Sequence, residues 1–321
     1  QAVTFARDLV NEPPSITTPT YLADVAKKIA KGDSRNLSSQ FRESGAGAIT
    51  CEVLTPKEMK ALGMEAILGI ARGSDEEPRF IHLSYKGGGG KTVCLVGKGI
   101  TFDTGGLSLK DSKNMETMKL DMAGAAAILG VFSVLSALKP KVNVVGLIAA
   151  TENMPGPKAV KPGDVVRAMN GKTIEILNTD AEGRVVLADA LSYAGAKVKA
   201  DTIVDLATLT GACMVALGEE IAGMFTDDVT LVEELKSAAT DSGEHIWAMP
   251  LAKEYKELLK SDVADVKNIS GSKYGGAING ALFLAEFAPL GVPWAHLDIA
   301  GPAFAEKDSP LTPKGGTGFG V

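Results

Sequence analysis

The sequence predicts an α/β fold: a mostly parallel, mixed sheet flanked by helices on both faces, with one local β-hairpin. Short apolar runs recur along the chain and alternate with alanine-rich stretches of helical length, as expected for strands buried on both faces and the helices that cover them. The composition agrees, because 45% of the 321 residues are hydrophobic and 22% are charged, which allows a large core. No repeat with a period of roughly 20 to 50 residues occurs, so a repeat architecture is not expected.

Each element follows from a local signal, beginning with a helix after Thr18. Thr18 and Pro19 supply a capping hydroxyl and a first-turn proline ahead of an apolar repeat of helical period. Residues 32–50 are polar and rich in glycine and serine, and we interpret them as a mobile surface insertion. Buried strands are predicted at residues 93–99, 142–153, 201–211 and 294–301, and helices at residues 122–138 and 185–196.

The hairpin is predicted on either side of Asn170-Gly171. Residues 164–169 and 172–177 flank this dipeptide, which tolerates positive φ at both central positions of a type I′ turn. The hairpin would deliver residues 178–184 to a defined place.

Composition and charge exclude several classes of protein. The 33 basic and 39 acidic residues give a formal net charge of −6, without the basic surface that a nucleic-acid partner requires. No uninterrupted apolar run of about 18 residues predicts a membrane span. The three cysteines, Cys51, Cys94 and Cys213, lie among apolar neighbours, which indicates buried, reduced thiols. We therefore expect a cytoplasmic protein, with a plastid or other organelle as the alternative, since a removed targeting peptide leaves no trace.

Two glycine-rich stretches do not fit nucleotide-binding motifs. The stretch at 97–99 is followed by Phe102 where a dinucleotide fingerprint needs its third glycine, and the run at 87–92 has Tyr85 where a P-loop needs its first. Nucleophilic catalysis is not predicted either, because neither a G-x-S-x-G nor an H-E-x-x-H motif occurs. The histidines are far apart in the sequence and are not assigned to a site: His82, His245 and His296.

Acidic residues stand instead at the ends of predicted strands, where open α/β sheets bind ligands. Asp103 closes the first glycine-rich strand and its loop, Asp121 opens a helix, and the stretch at 178–184 follows the hairpin. If that stretch is extended, Asp180, Glu182 and Arg184 point to one side, because side chains in a strand repeat every second residue. Small residues at 181 and 183 would allow another group to approach the backbone.

Taken singly, each of these four acids is as readily a solvated loop residue or a helix cap as a ligand. Gathered among apolar strands they would repel one another, and their charge of −4 would be neutralised by two divalent cations. Carboxylates that bridge a metal pair roughly 3.5 to 4 Å apart form hydrolytic sites.

Three basic residues flank the acids. Lys98, desolvated near metal charge, could lose its proton and become a ligand or base. Arg184 would instead hold an anion or a carboxylate through its planar guanidinium, and Lys110 is a third nearby cation.

Three sequence blocks resemble the leucyl aminopeptidase family, also called the cytosol aminopeptidase or M17 metallopeptidase family. They are VGKGITFDTGG at 96–106, MKLDMAGAAA at 118–127 and NTDAEGR at 178–184, and the resemblance extends over essentially the whole chain. It implies the aminopeptidase/phosphorylase-like version of the α/β fold. It also implies a hydrolase that uses two metal ions to remove the N-terminal residue, with Leu, Met and similar residues preferred, from peptides with a free α-amine.

The resemblance further implies a role for each site residue. Asp103 and Glu182 would bridge the two metals, Asp121 with Lys98 would complete the tighter site, and Asp180 the more labile one. Lys110 would stabilise the oxyanion, and Arg184 would hold a bicarbonate that acts as general base. Residues implied for the substrate pocket are Met118, Thr208, Leu209 and Gly211. The metals implied are Zn or Mn, with Mg as an alternative.

Family members form homohexamers, each a dimer of trimers, and act on peptides. They also carry an N-terminal α/β domain and a C-terminal closing helix that these 321 residues lack, so we expect residues 1–321 to form a single catalytic domain. The sequence disfavours two other classes of protein. A structural or DNA-associated hexamer is disfavoured because every ligand position is filled and the charge balance is acidic. A phosphoryl-transfer enzyme is disfavoured by the missing P-loop lysine and arginine clamp.

Overall fold

The computed structural model describes residues 1–32, 49–310 and 312–321. Over these residues the strands are β1 Ile49–Leu54, β2 Arg79–Tyr85, β3 Thr92–Asp103, β4 Asn143–Asn153, β5 Val165–Arg167, β6 Thr173–Glu175, β7 Thr202–Ala207, β8 Ile221–Phe225, β9 His245–Met249, β10 Val266–Lys267, β11 Trp294–Asp298, β12 Phe304–Ala305 and β13 Gly315–Gly316. The helices are α1 Ala2–Asn11, α2 Pro19–Ala30, α3 Pro56–Ala61, α4 Glu65–Ala71, α5 Ser112–Met115, α6 Ala123–Leu138, α7 Glu182–Lys197, α8 Gly211–Leu217, α9 Val229–Ser242 and α10 Gly276–Ala285, with 3-10 helices at Met118–Met122 and Lys253–Leu259.

The main sheet of the described chain has eight strands in the order β1-β2-β4-β3-β7-β11-β8-β9. Its four central strands, β4, β3, β7 and β11, run parallel. Antiparallel pairing occurs between β1 and β2, between β2 and β4, and between β11 and β8. The predicted fold class, a mostly parallel mixed sheet in an α/β protein, is confirmed.

Helices cover both faces of this sheet. One buried cluster includes Leu187 and Leu191 of α7, and the opposite cluster includes Leu129 and Phe132 of α6. The apolar stretch Met118–Leu138 is long enough to cross a membrane by length and composition, but 67% of its apolar window is buried inside the protein. This stretch is therefore a core helix that packs against the sheet.

The predicted strands and helices occur close to their predicted bounds. Residues 201–211 are the exception, because they contain β7 and, after a break, the start of α8 at Gly211. The predicted cap of α2 is present, since the Thr18 side chain accepts a hydrogen bond from the Tyr21 N–H. Of the predicted insertion at 32–50, residues 33–48 lie outside the described residues, and Ile49 and Thr50 belong to β1.

The hairpin is present, but its turn differs from the prediction. Strands β5 and β6 pair antiparallel, and the Gly171 N–H donates to the Ala168 carbonyl at 2.8 Å. Gly171 has φ of +89°, whereas Asn170 does not have positive φ. The type I′ prediction is therefore wrong: a three-residue loop with one left-handed glycine closes the hairpin. With β10 it forms a separate three-stranded sheet.

All three cysteines are free of disulfide bonds. Cys94 and Cys213 are buried, as the sequence predicted, while Cys51 is only half-buried. Burial raises the thiol pKa to about 12 for Cys94 and Cys213 and to about 11 for Cys51.

Candidate metal centre

Three of the carboxylates singled out in the sequence lie where β3, a 3-10 helix and α7 meet, at the carboxyl ends of the parallel strands. Asp103 is the last residue of β3 and lies opposite Asn153, the last residue of β4, after a shift in strand register. Asp121 lies in the 3-10 helix before α6, and Glu182 is the first residue of α7. The parallel order of β4, β3 and β7 is what brings these sequence-distant termini together.

Three of the acids form a compact buried cluster. One carboxylate oxygen from each of Asp103, Asp121 and Glu182 lies within 4.8 Å of the others. All three residues are at most 4% exposed. Asp180 joins the cluster through Lys110, whose Nζ lies 2.8 Å from Asp103 Oδ2 and 2.5 Å from Asp180 Oδ1.

A second lysine occupies the interior of the cluster. Lys98 Nζ lies 2.7 Å from Asp121 Oδ1 and 3.0 Å from Glu182 Oε1, and it donates to the Thr208 carbonyl at 2.8 Å. The helical backbone at Gly183 makes room for it, because a Cβ built there would lie 2.7 Å from Lys98 Nζ. The close approach predicted at residue 183 is thus made by the Lys98 side chain.

The buried surroundings of Glu182 and Asp121 raise the pKa of both carboxyl groups and so disfavour their charged forms. Burial raises the pKa of Glu182, and the neighbouring Asp103 charge raises it further. Burial likewise raises the pKa of Asp121, although Lys98 partly offsets the effect. Burial lowers the pKa of Lys98, but the surrounding carboxylates outweigh it and the net shift is upward. Positive charge beside Glu182 and Asp121 therefore favours the ionised forms of these two carboxylates.

The donor set fits divalent cations. Asp121 Oδ2 is buried and has no hydrogen-bond partner among the described residues, so an oxygen lone pair is left for another ligand. Four carboxylates set against the two lysine ammonium groups leave a charge of −2 when all are ionised. Oxygen ligands with one amine suit Mn, Mg and Zn alike.

The stretch at 178–184 is not extended as the sequence suggested. Glu182 and Arg184 belong to the first turn of α7, and Asp180 lies in the turn before it. The period-two argument for a shared face is therefore wrong. Glu182 reaches the cluster because α7 begins there. Arg184 does not contact the carboxylate oxygens in the described hydrogen bonds: its Nη1 donates to the Asn268 carbonyl at 2.8 Å, and its buried Nε has no partner in the described chain. Burial lowers the pKa of Arg184 to about 10.

The predicted pocket residues lie around the Asp121 side of the cluster. Thr208 donates through its hydroxyl to Asp121 Oδ1 at 2.6 Å, and the Leu209 N–H donates to Asp298 at 3.1 Å. Gly211 begins α8 with open space around its Cα, since a Cβ there would meet no atom within 4 Å. Met118 begins the half-buried 3-10 helix that carries Asp121.

Two buried asparagines that the sequence reading missed hold the site together. Asn153 donates to Asp103 Oδ1 at 2.7 Å, and the only available signal for it was its position at the end of a predicted strand. Asn268 accepts from the N–H groups of Leu177 and Asn178 and donates to the carbonyls of Asn178 and Ala181. No local signal marks Asn268, because its hydrogen-bond partner Asn178 lies 90 positions earlier in the sequence.

The histidines lie away from the carboxylate cluster. His82 contacts Tyr193 and Ser84 at 3.1 Å on β2, and His245 is exposed on the edge strand β9. His296 is buried in β11, where its Nδ1 lies 2.6 Å from Asp205.

The fold and site together define a mixed α/β protein with a buried carboxylate and lysine cluster suited to metal ions at the carboxyl edge of its parallel strands. Residues 4–321 match the family model described as the cytosol aminopeptidase family, catalytic domain. The chain belongs to this family.

Curated relatives and solved structures agree with that match. The chain is 53% identical over 321 residues to the "Probable cytosol aminopeptidase" of Synechococcus sp. (strain JA-3-3Ab), covering 99% of this chain and 60% of the relative. It is 50% identical to the protein of the same name from Geobacter sulfurreducens, covering 100% of this chain and 62% of that protein. This chain therefore spans about 60% of the length of these relatives.

Among solved structures, the chain resembles the "Bottromycin maturation enzyme BotP" with a TM-score of 0.89 and 41% identity, over 99% of this chain and 66% of that one. A structure of the same enzyme "in complex with Mn" has a TM-score of 0.91 and 41% identity, over 99% of this chain and 67% of that one.

Proposed function

We propose that residues 1–321 form the single catalytic domain of an aminopeptidase that uses two divalent cations to hydrolyse the N-terminal residue from peptides with a free α-amine. The observation that carries this proposal is the buried cluster of Asp103, Asp121 and Glu182, in which one carboxylate oxygen of each residue lies within 4.8 Å of the others. One further oxygen of the cluster, Asp121 Oδ2, has no hydrogen-bond partner in the described chain. The family and the names of the relatives support it.

Five side chains would hold the cations. Asp103 and Glu182 would contact both, Asp121 and Lys98 one, and Asp180 the other. Lys98 would act as a neutral amine once its positive charge is no longer needed to balance the carboxylates. Cations bound there would polarise the scissile carbonyl and make a water molecule easier to deprotonate.

Lys110 would stabilise the oxyanion that develops on the scissile carbonyl. Burial lowers its pKa, but contacts with Asp103 and Asp180 outweigh burial and raise it overall, so the ammonium stays charged. Its side chain is 15% exposed, so it lies at the boundary between the cluster and solvent. A fixed positive group at that boundary can donate to a substrate oxygen without leaving its carboxylate partners.

Arg184 would hold a bicarbonate that accepts a proton from the attacking water. The support is its buried guanidinium, which uses Nη1 on the Asn268 carbonyl and leaves Nε without a partner among the described residues. A planar guanidinium with a free N–H is suited to a small oxyanion.

The first side chain of the substrate would bind beside Met118, Thr208, Leu209 and Gly211. Met118 and Leu209 are half-buried and apolar, and Gly211 leaves space, so Leu, Met and similar side chains would be preferred. The metals would be Zn or Mn, with Mg as an alternative, and the structural relative described as in complex with Mn favours Mn.

We place the protein in the cytoplasm as a homohexamer built as a dimer of trimers. The relatives' name, cytosol aminopeptidase, supports the location, and the family membership supports the assembly.

The direct test is release of leucine from Leu-amide by the purified chain before and after chelator treatment. We expect chelation to abolish hydrolysis, and Mn²⁺ or Zn²⁺ to restore it, because the proposed mechanism depends on cations to polarise the carbonyl and to make water easier to deprotonate. N-acetyl-Leu-amide is the matched substrate control, and it should react far more slowly because it lacks a free amine. Hydrolysis that persists in chelator would rule out the metal mechanism.

A further inference from the structure

The side-chain amide of Asn153 contacts both carboxylates that the proposed function assigns to two cations. Its Nδ2 lies 2.7 Å from Asp103 Oδ1 and 3.5 Å from Glu182 Oε2. The same nitrogen donates to the Thr179 carbonyl at 3.0 Å. Asn153 is 1% exposed, so water does not compete for these contacts. Because an amide nitrogen carries two hydrogens, the longer contact with Glu182 shares one of them with a shorter bond. Asn153 is nevertheless the one donor among the described hydrogen bonds that contacts both Asp103 and Glu182.

The two oxygens of each carboxylate face different neighbours. Asp103 Oδ1 accepts from Asn153 and from the Gly105 N–H at 2.9 Å, while its Oδ2 lies 2.8 Å from Lys110 Nζ. Glu182 Oε2 faces Asn153, while its Oε1 lies 3.0 Å from Lys98 Nζ. In both residues, one oxygen contacts the uncharged amide and the other contacts positive charge.

Asn153 is itself held firmly. It ends β4 directly opposite Asp103 of β3, and its carbonyl accepts from both the N–H and the hydroxyl of Thr104, at 3.0 and 2.8 Å. Gly106, with φ of +62°, allows the amide to pack closely, because a Cβ there would lie 2.9 Å from Asn153 Oδ1. The amide therefore has little freedom to turn away from the carboxylates.

We propose that Asn153 is a positioning residue that determines which oxygen of Asp103 and which oxygen of Glu182 faces the cations. An uncharged donor satisfies the outer oxygens without neutralising them, so their charge stays available to the metals. This inference rests on the proposed two-cation function. Because Asn153 contacts both bridging residues, its loss weakens both cation sites, whereas loss of the Thr208 hydroxyl, which contacts Asp121 alone, weakens one.

The test is titration of the metal-free full chain with Mn²⁺ by calorimetry, with electron paramagnetic resonance to distinguish single from paired Mn²⁺. Asn153→Leu keeps nearly the same side-chain shape without the donor nitrogen and adds no charge, and Asn153→Ala removes the amide altogether. Both should weaken both Mn²⁺ sites at least about 10-fold. Thr208→Val should weaken one site. Asn143→Leu is the matched control at the other end of β4, where the amide donates to the Gly89 carbonyl, and should bind two Mn²⁺ as the unchanged chain does.

The outcomes separate this inference from the proposed function. If the unchanged chain does not bind two Mn²⁺ ions, the proposed function fails and the inference fails with it. If it binds two, and both Asn153 variants bind them equally well or lose only one, the inference alone is overturned. Thermal unfolding in chelator checks the fold. If both variants are unfolded without metal, Asn153 is a general folding residue and the positioning role is rejected.

Discussion

His296 and Asp205 form an ion pair in the interior of the sheet, away from the carboxylate cluster. Both residues have fully buried side chains, and His296 Nδ1 lies 2.6 Å from Asp205 Oδ1. The other oxygen, Asp205 Oδ2, accepts from the Trp294 indole at 2.7 Å. Burial alone would lower the pKa of His296, but the Asp205 carboxylate outweighs burial and raises it above its ordinary value of 6.5. A histidine in an apolar run is here a fully buried core residue whose ring contacts a buried carboxylate.

We expect Asp205→Asn to lower the free energy of unfolding by about 3 kcal/mol, because it leaves a buried imidazole without its counter-charge. Since the folded-state pKa of His296 lies above 6.5, the pair contributes fully below pH 6.5 and its contribution is lost as pH rises through the folded-state pKa. The difference between the variant and the unchanged chain should therefore shrink at higher pH. Urea unfolding at several pH values measures it.

Asp201→Asn, just before the same strand, is the control. Asp201 is exposed, and although it accepts from the Thr92 N–H, its replacement should change stability by less than about 1 kcal/mol. A pH-independent loss at Asp205 would contradict the charged-pair interpretation.

At the scale of elements, α7 links the candidate site to the rest of the fold. Its first turn carries Glu182 and Arg184, and one turn and a half further on Asp189 is fully buried. Asp189 accepts from the Ile67 N–H in α4 at 2.9 Å and from the Met169 N–H in the hairpin turn at 2.8 Å. A single carboxylate thus fixes α7 against two elements that are separated from it by 122 and 20 residues of chain.

We expect Asp189→Ala to lower the free energy of unfolding by about 3 kcal/mol, because one buried and one half-buried backbone N–H group lose their acceptor. Ser192→Ala, in the same helix, is the control. Its hydroxyl only donates to the Ala188 carbonyl within α7, so the loss should be under about 1 kcal/mol. Denaturant unfolding compares the two variants, and equal losses would show that the Asp189 contacts do not stabilise the fold beyond ordinary packing.

At the scale of the whole molecule, the first helix and the last strands meet beside the candidate site. Lys119, in the 3-10 helix that carries Asp121, donates to the Asn11 carbonyl at 2.5 Å, and Asn11 accepts through its side chain from the Gly316 N–H at 2.8 Å. Residues 305 positions apart thus support the helix that carries one of the acids. The three thiols are distributed over this core in β1, β3 and α8.

We expect a thiol reagent such as Ellman's reagent at pH 8 to react slowly with the native chain, because burial raises all three thiol pKa values to about 11 or 12 and keeps them protonated. Cys51, half-buried, should react first, and full unfolding should release three reactive thiols. A rapid burst of reaction in the native state would contradict the described burial of Cys94 and Cys213.

The sequence by itself determined the fold class, the approximate bounds of the main strands and helices, and the identity of the acids and lysines that gather at the sheet edge. It could do so because apolar periodicity and strand-end positions are local properties of the chain. Only the tertiary structure decided that Glu182 and Arg184 lie on a helix and that, in the hairpin turn, Gly171 but not Asn170 takes positive φ. It also decided that Asn153 and Asn268 hold the site, through partners 50 and 90 residues away. Such contacts depend on strand order and register, which bring together residues that no local pattern relates.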